Sequence, residues 1–208
     1  MSSSPPSRPS LREIQKDAAR AHIANAASDL FLERGYGGTK TKDVAAAAGV
    51  AEGTIFNLFG SKSELLLAAL RERVPTERSA EDRRQVDCES FEDPDALIDF
   101  VCTLDEIVAN RAIGVVEVFL EAAESDPQVA ERWRAQEEVR YESQQHVLDL
   151  LEARGWLRTD RARDALARDV WLTLAPELHV KVKRAGVPLE DFKAWKATAL
   201  RALLVDPD

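Results

Sequence analysis

The stretch Thr39-Lys40-Thr41-Lys42-Asp43-Val44-Ala45-Ala46-Ala47-Ala48-Gly49-Val50-Ala51-Glu52-Gly53-Thr54-Ile55-Phe56-Asn57-Leu58-Phe59-Gly60-Ser61-Lys62 decides the fold. Val44, Ala45 and Ala48 are apolar at helical spacing. Gly49 follows them and supplies the left-handed conformation that ends a helix. Val50 reads as a buried turn residue. Ile55 and Phe59 stand four apart, so a second helix packs on the first through one face. Its other face carries Glu52, Thr54 and Asn57. Two short helices joined by a tight turn make a helix-turn-helix, whose second helix fits the DNA major groove.

The neighbouring sequence extends the pattern. Upstream, Ala19, Ile23, Ala26, Ala27, Leu30 and Phe31 form one apolar stripe of a long helix ending at Gly35. Downstream, Ser61 and Glu64 predict a capping box for a helix running to about Arg73. The run from about 12 to 70 resembles the DNA-binding domain of TetR-family transcriptional regulators. The remainder fits that family only by length and helical content.

The resemblance implies roles for single residues. Thr39 falls where the family has a threonine that caps the second helix and meets a phosphate. Lys42 and Lys62 fall at positions that contact the DNA backbone. Glu52, Gly53 and Thr54 open the recognition helix, and Phe56 and Asn57 face bases or backbone. The chemistry of these residues agrees. Each lysine can neutralise one phosphate, giving a salt slope of about −0.9 apiece. Gly53 permits close approach, Asn57 can pair with adenine, and Phe56 can pack on a thymine methyl. The chain also departs from the family. It has Phe56 where tyrosine is common, Leu58 where tyrosine or histidine is common, Thr41 at an apolar position, Ala51 for a capping serine, and Glu52 where lysine is frequent. Glu52 is either a solvated neighbour that repels phosphate or a reader of a cytosine amine. His22 reads as a surface residue.

Composition bounds the rest. The chain has 208 residues, 45% of them hydrophobic and 31% charged, which suits a helical protein with a real core. Net charge is −9, which argues against indiscriminate coating of nucleic acid. Residues 1–73 hold ten Lys and Arg against eight Asp and Glu, a net +2; the remainder holds eighteen against twenty-nine, a net −11. A weakly basic head on an acidic body suits a protein that touches DNA at one end. Cys88 and Cys102 have no ligand or disulfide spacing, which fits a reducing cytoplasm. No apolar run approaches the ~20 residues of a membrane span. Residues 1–10 read as a disordered tail rather than a signal peptide, with Arg8 and Arg12 either solvated or near DNA.

The expected architecture is therefore all-α: a tail at 1–10, a helix-turn-helix domain at 11–74 and a helical ligand-binding and dimerisation body at 75–208. Polar residues 75–92 predict a loop or frayed helix end between the two. Asp93-Pro94 and Asp126-Pro127 each read as an N-cap before a proline at the first helical position. One helix is expected from 93 to about 108 and a shorter one around Val115, Val118, Phe119 and Ala122. A long helix spans 126–154. Another spans 160–185, kinked by Pro176, and the last runs from 188 to about 205. These last two are apolar on several faces, which predicts burial against a second copy. The family resemblance implies the same homodimer.

The long helix from 126 has Gln136, Arg140 and Gln144 on an otherwise apolar stripe. Either these residues rotate to the surface, or a small-molecule effector supplies their partners. The expected lining is Phe100, Thr103, Leu104, Phe119, Trp133, Arg140, Tyr141 and Trp171, with Arg140 favouring an acidic or carbonyl-bearing effector. The helix after Ser61 would carry the effector's signal to the head. His22, His146 and His179 are far apart in sequence, and no HExxH, P-loop or nucleophile elbow is present. No catalytic residue, cofactor or metal ligand is therefore expected. The reading is a sequence-specific DNA-binding regulator, a repressor released by its effector; the alternative is a ligand-binding or adaptor dimer with a weakened head.

Overall fold

The computed structural model describes residues 10–74 and 91–206; all but the last two residues of the expected interdomain loop, together with Cys88 and Arg8, lie outside the described residues. The chain divides into two compact units between Glu72 and Arg73. Among the described residues every regular element is a helix.

The head holds four helices. α1 spans Leu11–Gly38 and opens on a capping box: Glu13 N–H donates to the Ser10 hydroxyl at 3.3 Å and Ser10 N–H to the Glu13 carboxylate at 2.7 Å. Ser10 is thus a helix cap and not the end of the tail. Gly35 has φ 67° and breaks the helical path near the end of α1, a conformation that favours glycine. α2 spans Thr41–Ala47, α3 spans Glu52–Phe59 and α4 spans Lys62–Arg73. Their inward residues Ile23, Ala27, Phe31, Val44, Ile55, Phe59, Leu65 and Leu66 form one buried core. That burial holds three helices too short to persist alone in water.

The body holds five. α5 spans Pro94–Ala123, α6 Pro127–Ala153, α7 Arg163–Thr173, α8 Pro176–Ala185 and α9 Leu189–Leu204. Both expected aspartate caps form: Ala96 N–H donates to Asp93 at 2.8 Å, and Gln128 N–H to Asp126 at 2.9 Å. α5 packs on α6, α8 and α9, while α7 packs on α6 and α9. Leu97, Ile98, Cys102, Leu148, Leu151, Leu166, Val170, Leu200 and Leu204 share the main core. Burial pushes the Cys102 thiol up to about 11, so it packs as a small apolar group.

Three expectations change. The two helices foreseen between 93 and 123 are one: nothing in Ala109–Gly114 removes a backbone donor, and a single helical glycine costs only about 1 kcal/mol. The helix foreseen at 160–185 is broken rather than kinked. Pro176 forces the residue before it out of the α region, and Ala175 takes φ −65°, ψ 130°, so Pro176 starts α8 afresh. Most apolar residues of the last helices are also buried within one chain, including Leu166, Val170, Phe192, Leu200 and Leu204. Leu172 and Trp195 remain outside, 55% and 53% exposed.

Candidate nucleic-acid interface and body clusters

The turn between α2 and α3 is closed by backbone bonds. Val50 N–H donates to Ala45 O at 2.9 Å and Gly49 N–H to Ala46 O at 3.2 Å, with Gly49 at φ 66°. This is the left-handed helix end that the sequence predicts. Val50 itself is half-buried rather than buried. Ile55 and Phe59 point into the head core. The opposite side of α3 therefore faces out: Glu52, Gly53, Phe56 and Asn57 are exposed, and Thr54 is half-buried. Phe56 is 48% exposed, so it is not a core residue of the head. Lys42 on α2 is exposed as well. These six residues come to one helix-turn-helix as the sequence arranges them.

Gly53 is informative because the head does not require it. A Cβ at this position meets no atom within 4 Å, and φ is not in the left-handed region. Alanine would suit the helix better by roughly 0.5–1 kcal/mol.

Two other predicted DNA contacts have protein partners. Thr39 is 1% exposed, and its hydroxyl donates to Leu30 O at 3.0 Å and Gly35 O at 2.8 Å. It ends α1 rather than capping α2, whose N-cap is Lys40 without a side-chain bond. The kink at Gly35 exposes carbonyls that a buried hydroxyl must satisfy. Lys62 is half-buried: its ammonium donates to Tyr36 O and lies 4.1 Å from the Tyr36 ring centroid. Arg20, which the sequence does not single out, donates to Leu58 O and lies over the Phe59 ring at 4.7 Å. His22 is exposed but contacts Ala48 O at 3.2 Å, next to the turn. Thr41 and Glu52, both departures from the family pattern, meet each other: Thr41 Oγ1 donates to Glu52 Oε1 at 2.6 Å.

In the body, the polar stripe of α6 finds partners within the chain. Arg140 Nε donates to Glu137 Oε1 at 2.9 Å, while Nη1 donates to Gln144 Oε1 at 3.1 Å and Trp171 O at 3.0 Å. The guanidinium also lies over the Trp171 ring at 5.1 Å. Glu137 already occupies the bidentate place expected for an acidic effector, and Arg140 also satisfies carbonyls near the C-terminus of α7. Arg140 therefore already has partners within the chain, and an effector at this position would join or displace them. Sequence spacing could not show this, because Glu137 looks like one more surface acid.

The other predicted lining residues fall into separate contacts. Phe119 is buried and packs on Trp133 at 5.3 Å, whose indole donates to Glu177 at 3.2 Å. Tyr141 meets Trp171 edge-on at 6.5 Å. Phe100 packs instead on Phe91 at 5.4 Å, and the Thr103 hydroxyl bonds back to Asp99 O at 2.8 Å. Leu104 is half-buried on the same helix. The indole N–H of Trp171 is buried with no hydrogen-bond partner among the described residues.

A second charged cluster escapes the sequence reading. Lys196, 1% exposed, donates to Asp105 Oδ2, and His179 Nε2 lies 2.8 Å from the same oxygen and 3.2 Å from the ammonium. His179 is 3% exposed and packs edge-on against Phe192 at 5.0 Å. The signal was present: Lys196 interrupts the i, i+4 stripe Phe192, Leu200, Leu204. Both basic residues are shut from solvent, so the cluster stabilises helix packing and offers no group to a substrate. Among the described residues, no three His, Cys, Asp or Glu side chains are grouped to hold a metal, and no helix is long and apolar enough to cross a membrane.

A helix-turn-helix with an exposed outer face on its second helix is the geometry that DNA-binding proteins present to the major groove. Residues 23–69 match the family model of bacterial regulatory proteins, tetR family. Over 55 residues it is 42% identical to the HTH-type transcriptional repressor Rv3405c of Mycobacterium tuberculosis, covering 26% of this chain and 29% of that protein. Over 61 residues it is 36% identical to the HTH-type transcriptional activator FasR of Mycolicibacterium smegmatis, covering 29% and 28%. Each match thus spans less than a third of the relative. The crystal structure of NalD, the secondary repressor of the MexAB-OprM multidrug efflux pump in Pseudomonas aeruginosa, superposes with a TM-score of 0.69 over 94% of this chain and all of that one. At 18% identity, that likeness concerns the fold alone.

Proposed function

We propose that the protein is a homodimeric, sequence-specific DNA-binding transcriptional regulator. In this reading it is a repressor that leaves its operator when a small molecule occupies the body. The observation that carries the DNA-binding part is the outer face of α3. Gly53 has open space where the head would prefer alanine, beside an exposed phenylalanine and an exposed asparagine. A glycine without an internal reason fits a surface that something else must approach closely. Gly53→Ala tests this directly. Thermal melting is expected to rise or hold while operator affinity falls. Unchanged affinity would remove α3 from the interface.

Repression is favoured by the repressor name of Rv3405c, while FasR bears an activator's name over a similar stretch. Effector release is typical of the family. For this chain, it is supported by two separate aromatic pairs, Phe119 with Trp133 and Tyr141 with Trp171, and by the unpaired indole donor of Trp171. Phe100, Thr103 and Leu104 stay in the proposed lining at its α5 side. An acidic effector would have to displace Glu137 from Arg140, so a neutral carbonyl acceptor is the better fit to Trp171. α4 is the last helix of the head before the chain enters the body and is the proposed carrier of the signal.

Dimerisation through the last two helices rests on Leu172 and Trp195, large apolar side chains left outside on α7 and α9. Trp195→Asp is expected to give folded monomer by sedimentation at micromolar concentration. A variant that stays dimeric would place the interface elsewhere. The rival reading, an adaptor dimer with a weakened head, draws on the inward engagement of Thr39 and Lys62. Capture and sequencing of genomic fragments by the purified protein separates the two.

A further inference from the structure

We infer that Glu52 reads a cytosine in each operator half-site and that Thr41 is the positioning residue that holds it for that task. The inference rests on the DNA-binding reading above and adds a base and a mechanism to it. Glu52 is the first residue of α3 and is exposed. In helix-turn-helix complexes, the N-terminal residues of the recognition helix meet base edges. An isolated surface glutamate there would be mobile and would repel phosphate. This one is neither isolated nor in need of a cation. Thr41, the first residue of α2, donates its hydroxyl to Oε1 at 2.6 Å. The bond joins the starts of two helices that the turn already fixes, and it leaves Oε2 for a donor outside the protein.

The chemistry then selects the base. An ionised carboxylate only accepts hydrogen bonds. In the major groove, only cytosine N4 and adenine N6 donate. Adenine sets the N7 acceptor beside N6, where it opposes a carboxylate. Cytosine presents its amine without that neighbour. Phosphate contact is disfavoured by like charge, so Glu52 would add selectivity and little affinity. Lys42 and Asn57 are exposed on the same helix-turn-helix and can supply backbone and other base contacts.

A purely structural Thr41–Glu52 bond predicts something different: its loss changes stability and leaves base preference alone. The experiment is selection from a randomised double-stranded DNA library by the full-length protein, followed by sequencing. Wild type is expected to enrich cytosine at one position mirrored in both half-sites. Glu52→Ala should reduce that preference about ten-fold. Glu52→Gln should move it towards adenine, which glutamine pairs bidentately. Thr41→Val should weaken the cytosine preference, and Thr41→Ser should retain it. If wild type selects an operator and both Glu52 variants return the same base profile, the inference is overturned while DNA binding stands. If wild type enriches no sequence, the DNA-binding reading falls, and the inference with it.

Discussion

The head and the body tie their helices together with a different balance of contacts. In the head, side chains reach across to backbone carbonyls: Arg20 to Leu58, Thr39 to Leu30 and Gly35, Lys62 to Tyr36. In the body, charged side chains answer each other: Lys196 with Asp105, Arg140 with Glu137, Arg163 with Asp149, Arg184 with Glu117. A carbonyl cannot lose its acceptor character with pH, whereas a carboxylate can. The head is thus built to hold one shape while its outer face stays open to a partner. The body concentrates the acidic surplus of the chain and depends on which charges are paired. Glu117 shows the consequence: hydrogen bonds from Arg184 and Lys183 hold its carboxyl below the usual range. A depressed value means stability present above the ordinary carboxylate value and lost as pH falls through the folded one.

The largest way to break the contrast is to strand the charge of Lys196. Asp105→Ala leaves an ammonium that is 1% exposed without its carboxylate. Removing one partner of a buried pair typically costs about 3–5 kcal/mol. Urea unfolding of the full chain is expected to show a loss of that order, whereas Lys196→Met with Asp105→Leu should recover much of it. A single variant as stable as wild type would show that the cluster does not hold α5 to α9.

Arg140→Ala comes next. It strands Glu137 and removes a donor from Trp171 O at the end of α7. An unsatisfied, largely buried group costs about 1–3 kcal/mol. The expected outcome is lower stability of the body with the operator affinity of the folded protein intact. A variant of unchanged stability that no longer responds to a verified effector would return Arg140 to the ligand site.

The same two regions show what was legible in the sequence. The helix-turn-helix was readable because its determinants are local: Gly49 ends one helix, and Ile55 and Phe59 set the face of the next. The aspartate caps were readable for the same reason. What failed was non-local. Whether Pro176 kinks or restarts a helix depends on packing around it. Thr39 looked like a cap for the helix after it and serves the helix before it, because the kink at Gly35 turns two carbonyls toward its hydroxyl. Arg140 reads from sequence as a group for a ligand or for solvent, and Lys196 draws no reading at all; their partners stand 3 and 91 residues away. Spacing finds the first kind of pair only when one already suspects it, and the second not at all.

The smallest expected effect sharpens the head's side of the comparison. Lys62 was assigned to a phosphate, yet its ammonium donates to Tyr36 O and lies on the Tyr36 ring. A passing phosphate would add to the contact with Tyr36 rather than replace it. Both roles would then act together, with Tyr36 fixing the charge where the backbone passes. Lys62→Ala should cost the head about 0.5–1 kcal/mol, the usual worth of an accessible cation–π contact. It should also weaken binding to every sequence and flatten the salt dependence of operator binding by about 0.9. The two effects separate by measurement. Melting in the absence of DNA reads the contact with Tyr36, and the slope of log affinity against log salt reads the phosphate. A lower melting temperature with an unchanged slope would make Lys62 a structural residue of the head. The backbone charge would then have to be neutralised by Lys40 and Lys42, the exposed lysines at the start of α2.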